Sequence, residues 1–201
     1  LTNIDPSLTK IAESWVLSQT TESELGSLQQ MVNLAENTKI KQLVNQVLSE
    51  CTDLVELTNI NARIVLIIGD GNNQTLTQAM QNAIGVSLGS KISLIFFWPQ
   101  HQWKDSLSFA VAHEYSHLCQ NSYVEKRFID GKMINGKTGK PDTLLDAVLN
   151  EGISDAFAMS LQPSFTPNWI HPLPIQQETL AWEAMSELRD SEDPLIIRSF
   201  L

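Results

Sequence analysis

Five residues near the middle of the chain, His113-Glu114-Tyr115-Ser116-His117, have the form H-E-x-x-H. On a helix, residues four apart share a face with Cβ atoms ~5–6 Å apart, so two imidazoles can converge on one divalent ion. Zn–N bonds of ~2.0–2.1 Å suit that spacing. Glu114 lies round the helix from the ligands but within reach of a water at the ion, the position of a general base. Two histidines leave such a site incomplete, because catalytic zinc sites usually take three protein ligands and keep one position open.

A source for the third is Asn150-Glu151-Gly152-Ile153-Ser154-Asp155. Glu151 and Asp155 are four apart and share a face that is otherwise apolar, with Leu144, Val148 and Phe157 nearby. Carboxylates beside an apolar stripe are costly unless paired or metal-bound. Glu151 is therefore expected as the third ligand. Asp155 is expected to accept the outer N–H of a ligating imidazole and fix its tautomer, with Asn150 in the same supporting layer. The plain alternative is a pair of surface or capping histidines and a solvent-facing acidic patch. Peptide hydrolysis also needs a donor for the developing oxyanion. Tyr123 and His171 follow the two motif segments and are the catalytic candidates. Tyr115 points about 200° round the helix from His113 and is expected to pack. His101 reads as a loop residue ahead of the helix.

Together, H-E-x-x-H and N-E-x-x-S-D resemble the thermolysin-type gluzincin signature. More closely, VAHEYSHLCQ with LLDAVLNEGISDAFA is similar to the YjaZ-like family of predicted zinc-dependent proteases. The likeness extends over most of residues 60–190 and is specific at these two motifs. It implies His113, His117 and Glu151 as zinc ligands, Glu114 as base and Asp155 as support for a histidine. It also implies a zincin-like metallopeptidase domain of α+β class with a small mixed sheet. The edge strand ahead of the active-site helix in gluzincins can pair with an extended peptide, and Ile92–Trp98 occupies that place in the chain. The motifs lie further apart than in thermolysin and its extra domain has no room here, so substrate specificity does not carry over.

These side chains need elements to hold them. Trp103–Gln120 contains neither Gly nor Pro and reads as one strong helix. Pro141, then Thr143 with Asp146 three on, opens another through about Leu161. Ala62–Ile68 and Ile92–Trp98 read as strands, stopped by Gly69-Asp70-Gly71 and by Pro99. Thr75–Ala83 is expected as a short helix, followed by a turn through Gly85 and Gly89, and Asp130–Pro141 as a loop. The prolines from Pro163 to Pro174 mark an irregular stretch before a last helix near Gln176–Leu188. Residues 1–60 carry apolar residues at helical spacing, and form the expected helical N-terminal region packed on a catalytic domain at 61–201.

Net charge is −10, with only 13 scattered basic residues, which argues against a nucleic-acid partner. No window reaches the ~20 apolar residues that span a bilayer. No signal peptide is visible, and Cys51 and Cys119 read as free buried thiols, which favours the cytoplasm. The chain begins at Leu1 without an initiating Met, so secretion after removal of a leader stays open. The resulting expectation is a zinc peptidase with Glu114 as base, acting on a peptide or protein substrate. The alternatives are a non-catalytic zincin-like binding module and a zinc hydrolase of a small amide or ester. Two His and one carboxylate also suit non-haem iron, though normally from strands.

Overall fold

The computed structural model describes residues 29, 33, 39–55, 61–100, 102–129, 143–170 and 172–200, with backbone alone at 124–129 and 198. The helices expected within 1–28, the loop Asp130–Pro141, His101 and His171 lie outside the described residues.

Helix α1 (Ile40–Leu54) buries Ile40, Val44, Val47 and Cys51, one apolar stripe at helical spacing. Strand β1 (Arg63–Ile68) follows, then a π-helical turn at Thr75–Ala79, β2 (Ala83–Leu88) and β3 (Ile92–Phe97). Helices α2 (Trp103–Ile129), α3 (Leu144–Leu161), α4 (Ile175–Leu188) and α5 (Pro194–Phe200) complete the described chain. The class is α+β with a small three-stranded mixed sheet in the order β1-β3-β2. β1 runs parallel to β3 and β2 antiparallel to it. Among the described residues no helix is long and apolar enough to cross a membrane.

Four expectations are corrected. The segment read as a Gly-containing turn is β2, and the helix expected over Thr75–Ala83 is one π-helical turn that ends before it. Ile92–Phe97 is the central strand, and among the described residues the two edges are β1 and β2. Helix α2 continues to Ile129, past the expected end at Gln120. A further helix, α5, closes the described chain.

β2 explains how the sheet meets α2. Its residues alternate small and branched: Ala83, Gly85 and Ser87 on one face, Ile84, Val86 and Leu88 on the other. Ile84 and Val86 pack in a small cluster with Leu76 and Phe96. The small face lets α2 lie close against the strand. A Cβ on Gly85 would stand 2.2 Å from the Glu114 Cγ, so only glycine fits there. α2 itself packs against α1, α3, β2 and β3. It is buried nearly all round from Ser106 to Cys119, as a central helix is.

α3 starts at a Thr143 N-cap. The Thr143 hydroxyl oxygen accepts from the Asp146 N–H at 3.2 Å. Two more of its orphan amides, at Leu144 and Leu145, donate to the carbonyls of Ser191 (2.9 Å) and Arg189 (3.0 Å). The α4–α5 connection thus anchors the start of α3, which lies along α2.

Candidate metal centre

α2 and α3 bring the two sequence motifs together. His113 Nε2 and His117 Nε2 stand 2.9 Å apart, one helical turn from each other. Glu151 Oε2 from α3 lies 3.2 Å from the first and 3.4 Å from the second. Three donor atoms thus form a compact triangle. An ion with bonds of ~2.0–2.1 Å in tetrahedral geometry holds its donors ~3.3 Å apart, so the triangle fits.

The outer nitrogens are engaged as well. His113 Nδ1 meets Asp155 Oδ1 at 2.9 Å. The indole N–H of Trp169 reaches the same oxygen at 3.5 Å while its ring packs edge-on against Phe109. His117 Nδ1 meets the Ser154 hydroxyl at 3.2 Å. Asn150 makes no side-chain hydrogen bond among the described residues; its neighbour on the motif, Ser154, is the one that reaches an imidazole.

Glu114 is 2% exposed and faces β2. The Ser87 hydroxyl donates to its Oε2 at 2.6 Å, and Ser87 Oγ lies 2.5 Å from the buried Ser93 Oγ. The other carboxylate oxygen lies over Gly85, 2.4 Å from where a Cβ would be. Ligand atoms of His113, Glu114 and His117 all lie within 4.8 Å of one another, so Glu114 is a rival for the third place on an ion. Glu114 is committed to Ser87, whereas Glu151 is 43% exposed and lies against both Nε2 atoms. The contact distances favour Glu151.

The charges reflect this packing. Burial opposes the His113 cation, yet hydrogen bonds to Asp155 and Glu151 outweigh it and raise its pKa to about 9. Burial likewise works against the Glu151 anion, but the two imidazoles prevail and lower it to about 2. The two shifts share the His113–Glu151 contact, with Asp155 adding to the first and His117 to the second. Burial raises Glu114, with the Ser87 hydrogen bond pulling the other way.

A cavity of about 440 Å³ opens onto these groups. Its walls include Met80, Ile84, Phe109, Val148, Trp169 and Phe200, with His113, Glu114, Glu151 and Asp155 as the polar part. Phe200 comes from α5, outside both motifs. Tyr123 is 52% exposed and is not among the lining residues. Tyr115 is buried and stacked on Phe157 at 6.1 Å, as its position on the helix predicts. Cys51 and Cys119 are free and buried, and burial pushes their thiols up to about 12 and about 11, which makes them inert.

Ser87, Gly85 and Ser154 escaped the sequence reading. Ser154 stands inside the N-E-x-x-S-D motif, and the alternation Ala83, Gly85, Ser87 was a strand signal hidden by the glycine. A family model described as Predicted Zn-dependent protease (DUF2268) matches residues 40–196. No curated protein and no solved structure matches the chain.

Proposed function

We propose, since the chain belongs to the DUF2268 family of predicted Zn-dependent proteases, that it cleaves peptide bonds at a zinc ion held by His113, His117 and Glu151. The observation that carries the proposal is the triangle of His113 Nε2, His117 Nε2 and Glu151 Oε2, with no separation above 3.4 Å. Two neutral imidazole nitrogens and one carboxylate are a zinc donor set. When bound, zinc activates water and polarises the scissile carbonyl.

The chain's own groups do the rest. Glu114 is the general base, and later returns the proton to the leaving amine. A carboxylate whose proton affinity is raised by burial is suited to both halves of that exchange. Ser87 fixes its orientation through Oε2. Asp155 holds the His113 ring through Nδ1 and supports its basicity. Tyr123 and His171 stay the candidate oxyanion donors, and Asn150 a candidate support.

A peptide substrate is supported by the free edge of β2. Trp98 N–H donates to Asn82 O at 2.8 Å. The alternation of an antiparallel ladder then turns the Gly85 N–H and C=O away from β3, toward the cavity side. An extended peptide can pair there by strand addition. The apolar walls suit an apolar side chain of that peptide. In this reading the zincin-like catalytic domain covers 61–201, and α1 packs against it through α2.

The test is Glu114→Gln. The variant should bind zinc as the wild type does and lose hydrolysis of an unfolded protein by ~10²-fold or more. Retained hydrolysis would exclude Glu114 as the base. Zinc binding without turnover by the wild type would favour the non-catalytic module.

A further inference from the structure

The two imidazoles of the centre are supported differently. His113 leans on a carboxylate, Asp155. His117 leans on a hydroxyl, and that hydroxyl sits in a closed polar cluster between α2 and α3. Ser154 is 0% exposed, and a buried hydroxyl needs its hydrogen-bonding capacity filled. Its Oγ lies 3.2 Å from His117 Nδ1 and 3.2 Å from Ser116 Oγ. The Gln120 amide nitrogen donates to Ser154 Oγ at 3.0 Å and to Ser116 Oγ at 3.1 Å.

The direction of the Ser154–Ser116 hydrogen bond sets the protons of this cluster. Both Gln120 amide hydrogens are used as donors to the two serines. Ser154 has a single proton, which it gives to Ser116. Toward His117 it can only accept. With Ser154 donating to Ser116, the imidazole carries its hydrogen on Nδ1 and leaves the Nε2 lone pair facing His113 and Glu151.

We propose that Ser154 is a positioning residue for His117, whose buried hydroxyl accepts the Nδ1–H and presents Nε2 for metal binding. The inference rests on the zinc reading above and deepens it. Ser116 and Gln120 belong to the device, because they hold the Ser154 oxygen in an accepting role. Glu151, Ser154 and Asp155 occupy one turn of α3. That turn thus supplies the third ligand and the outer partners of both histidines. The choice of a neutral group has a physical reason. Glu114, Glu151 and Asp155 already put three carboxyl groups beside two imidazoles, and a hydroxyl fixes the second ring with no further negative charge.

The experiment compares wild type, Ser154→Ala, Ser154→Thr and His117→Ala in the full chain. Nitrogen-15 NMR of the imidazoles reads the His117 tautomer in the metal-free protein, and competition with a chelator reads zinc affinity. In Ser154→Ala the ring should lose its Nδ1–H preference, and zinc affinity should fall roughly tenfold, the lower end of what outer partners cost. Ser154→Thr keeps the oxygen and should restore both. A merely packing role would lower the melting temperature and leave the tautomer alone. An unchanged tautomer and unchanged affinity in Ser154→Ala would overturn the proposal. Equal zinc affinity in wild type and His117→Ala would instead refute the metal reading, while the tautomer of the metal-free ring still decides whether Ser154 holds it.

Discussion

Gly85→Ala tests whether the proposed base is set by the sheet. The added Cβ would stand 2.2 Å from Glu114 Cγ, 2.4 Å from Oε1 and 2.5 Å from Cδ. Ordinary contact begins at 3.4 Å, so strand and carboxylate must separate by roughly 1 Å. Glu114 has little room to yield, being 2% exposed and tied to Ser87. Overpacking of this kind costs ~1–3 kcal/mol, offset by ~0.4–1 kcal/mol from the stiffer unfolded chain. The net loss should be about 1–2 kcal/mol, or roughly 3–6 °C in melting temperature for a chain of this size. A displacement of ~1 Å at a catalytic group also lowers turnover by ~10²-fold. Zinc content should not change, because the three atoms nearest the added Cβ all belong to Glu114 and none to the proposed ligands. Gly152→Ala is the control: nothing lies within 4 Å of its added Cβ, and it sits inside α3. That variant should gain up to ~1 kcal/mol. The assays are thermal unfolding, zinc analysis and hydrolysis of an unfolded protein. A Gly85→Ala protein that melts and turns over like the wild type would refute the link between strand and base.

In the metal-free protein the contacts of His113 with Asp155 and Glu151 make stability depend on pH, with a sign fixed by the shifts. His113 rises from 6.5 to about 9, so its contribution is complete below pH 6.5 and is lost as pH climbs through 9. Glu151 falls from 4.5 to about 2, so its contribution is complete above pH 4.5 and is lost as pH drops through 2. Urea unfolding without zinc should therefore be hardest near pH 5–6 and easier by on the order of 2 kcal/mol at pH 10, a figure already reduced because Glu151 is 43% exposed. A flat profile from pH 6 to 10 would contradict the contacts of His113 with Asp155 and Glu151. Glu151→Gln should weaken zinc binding by more than the ~10–100-fold typical of outer partners, read by chelator competition. Near-normal affinity in that variant would shift the third place to Glu114.

The two motifs were legible because their chemistry is written in local spacing. His113 and His117 share a face through helical period alone, and α2 forms where Gly and Pro are absent. The Thr143 cap and the α3 helix were equally local, and so was β1. β2 was not, since Gly85 reads as a turn residue until Glu114 is seen to need the space. The role of Ser154 likewise required α3 to lie along α2, which no spacing within either helix can state.

What the sequence by itself determined is the pair of imidazoles on one helix, the carboxylates on another, and the class of ion they suit. The tertiary structure alone decided that β2 is an edge strand, that Ser87 and Gly85 seat Glu114, that Phe200 of α5 walls the cavity, and that Ser154 faces His117. The reason is one of range. Helical periodicity and capping act over three or four residues, while strand order and the meeting of helices depend on how distant apolar faces share one core.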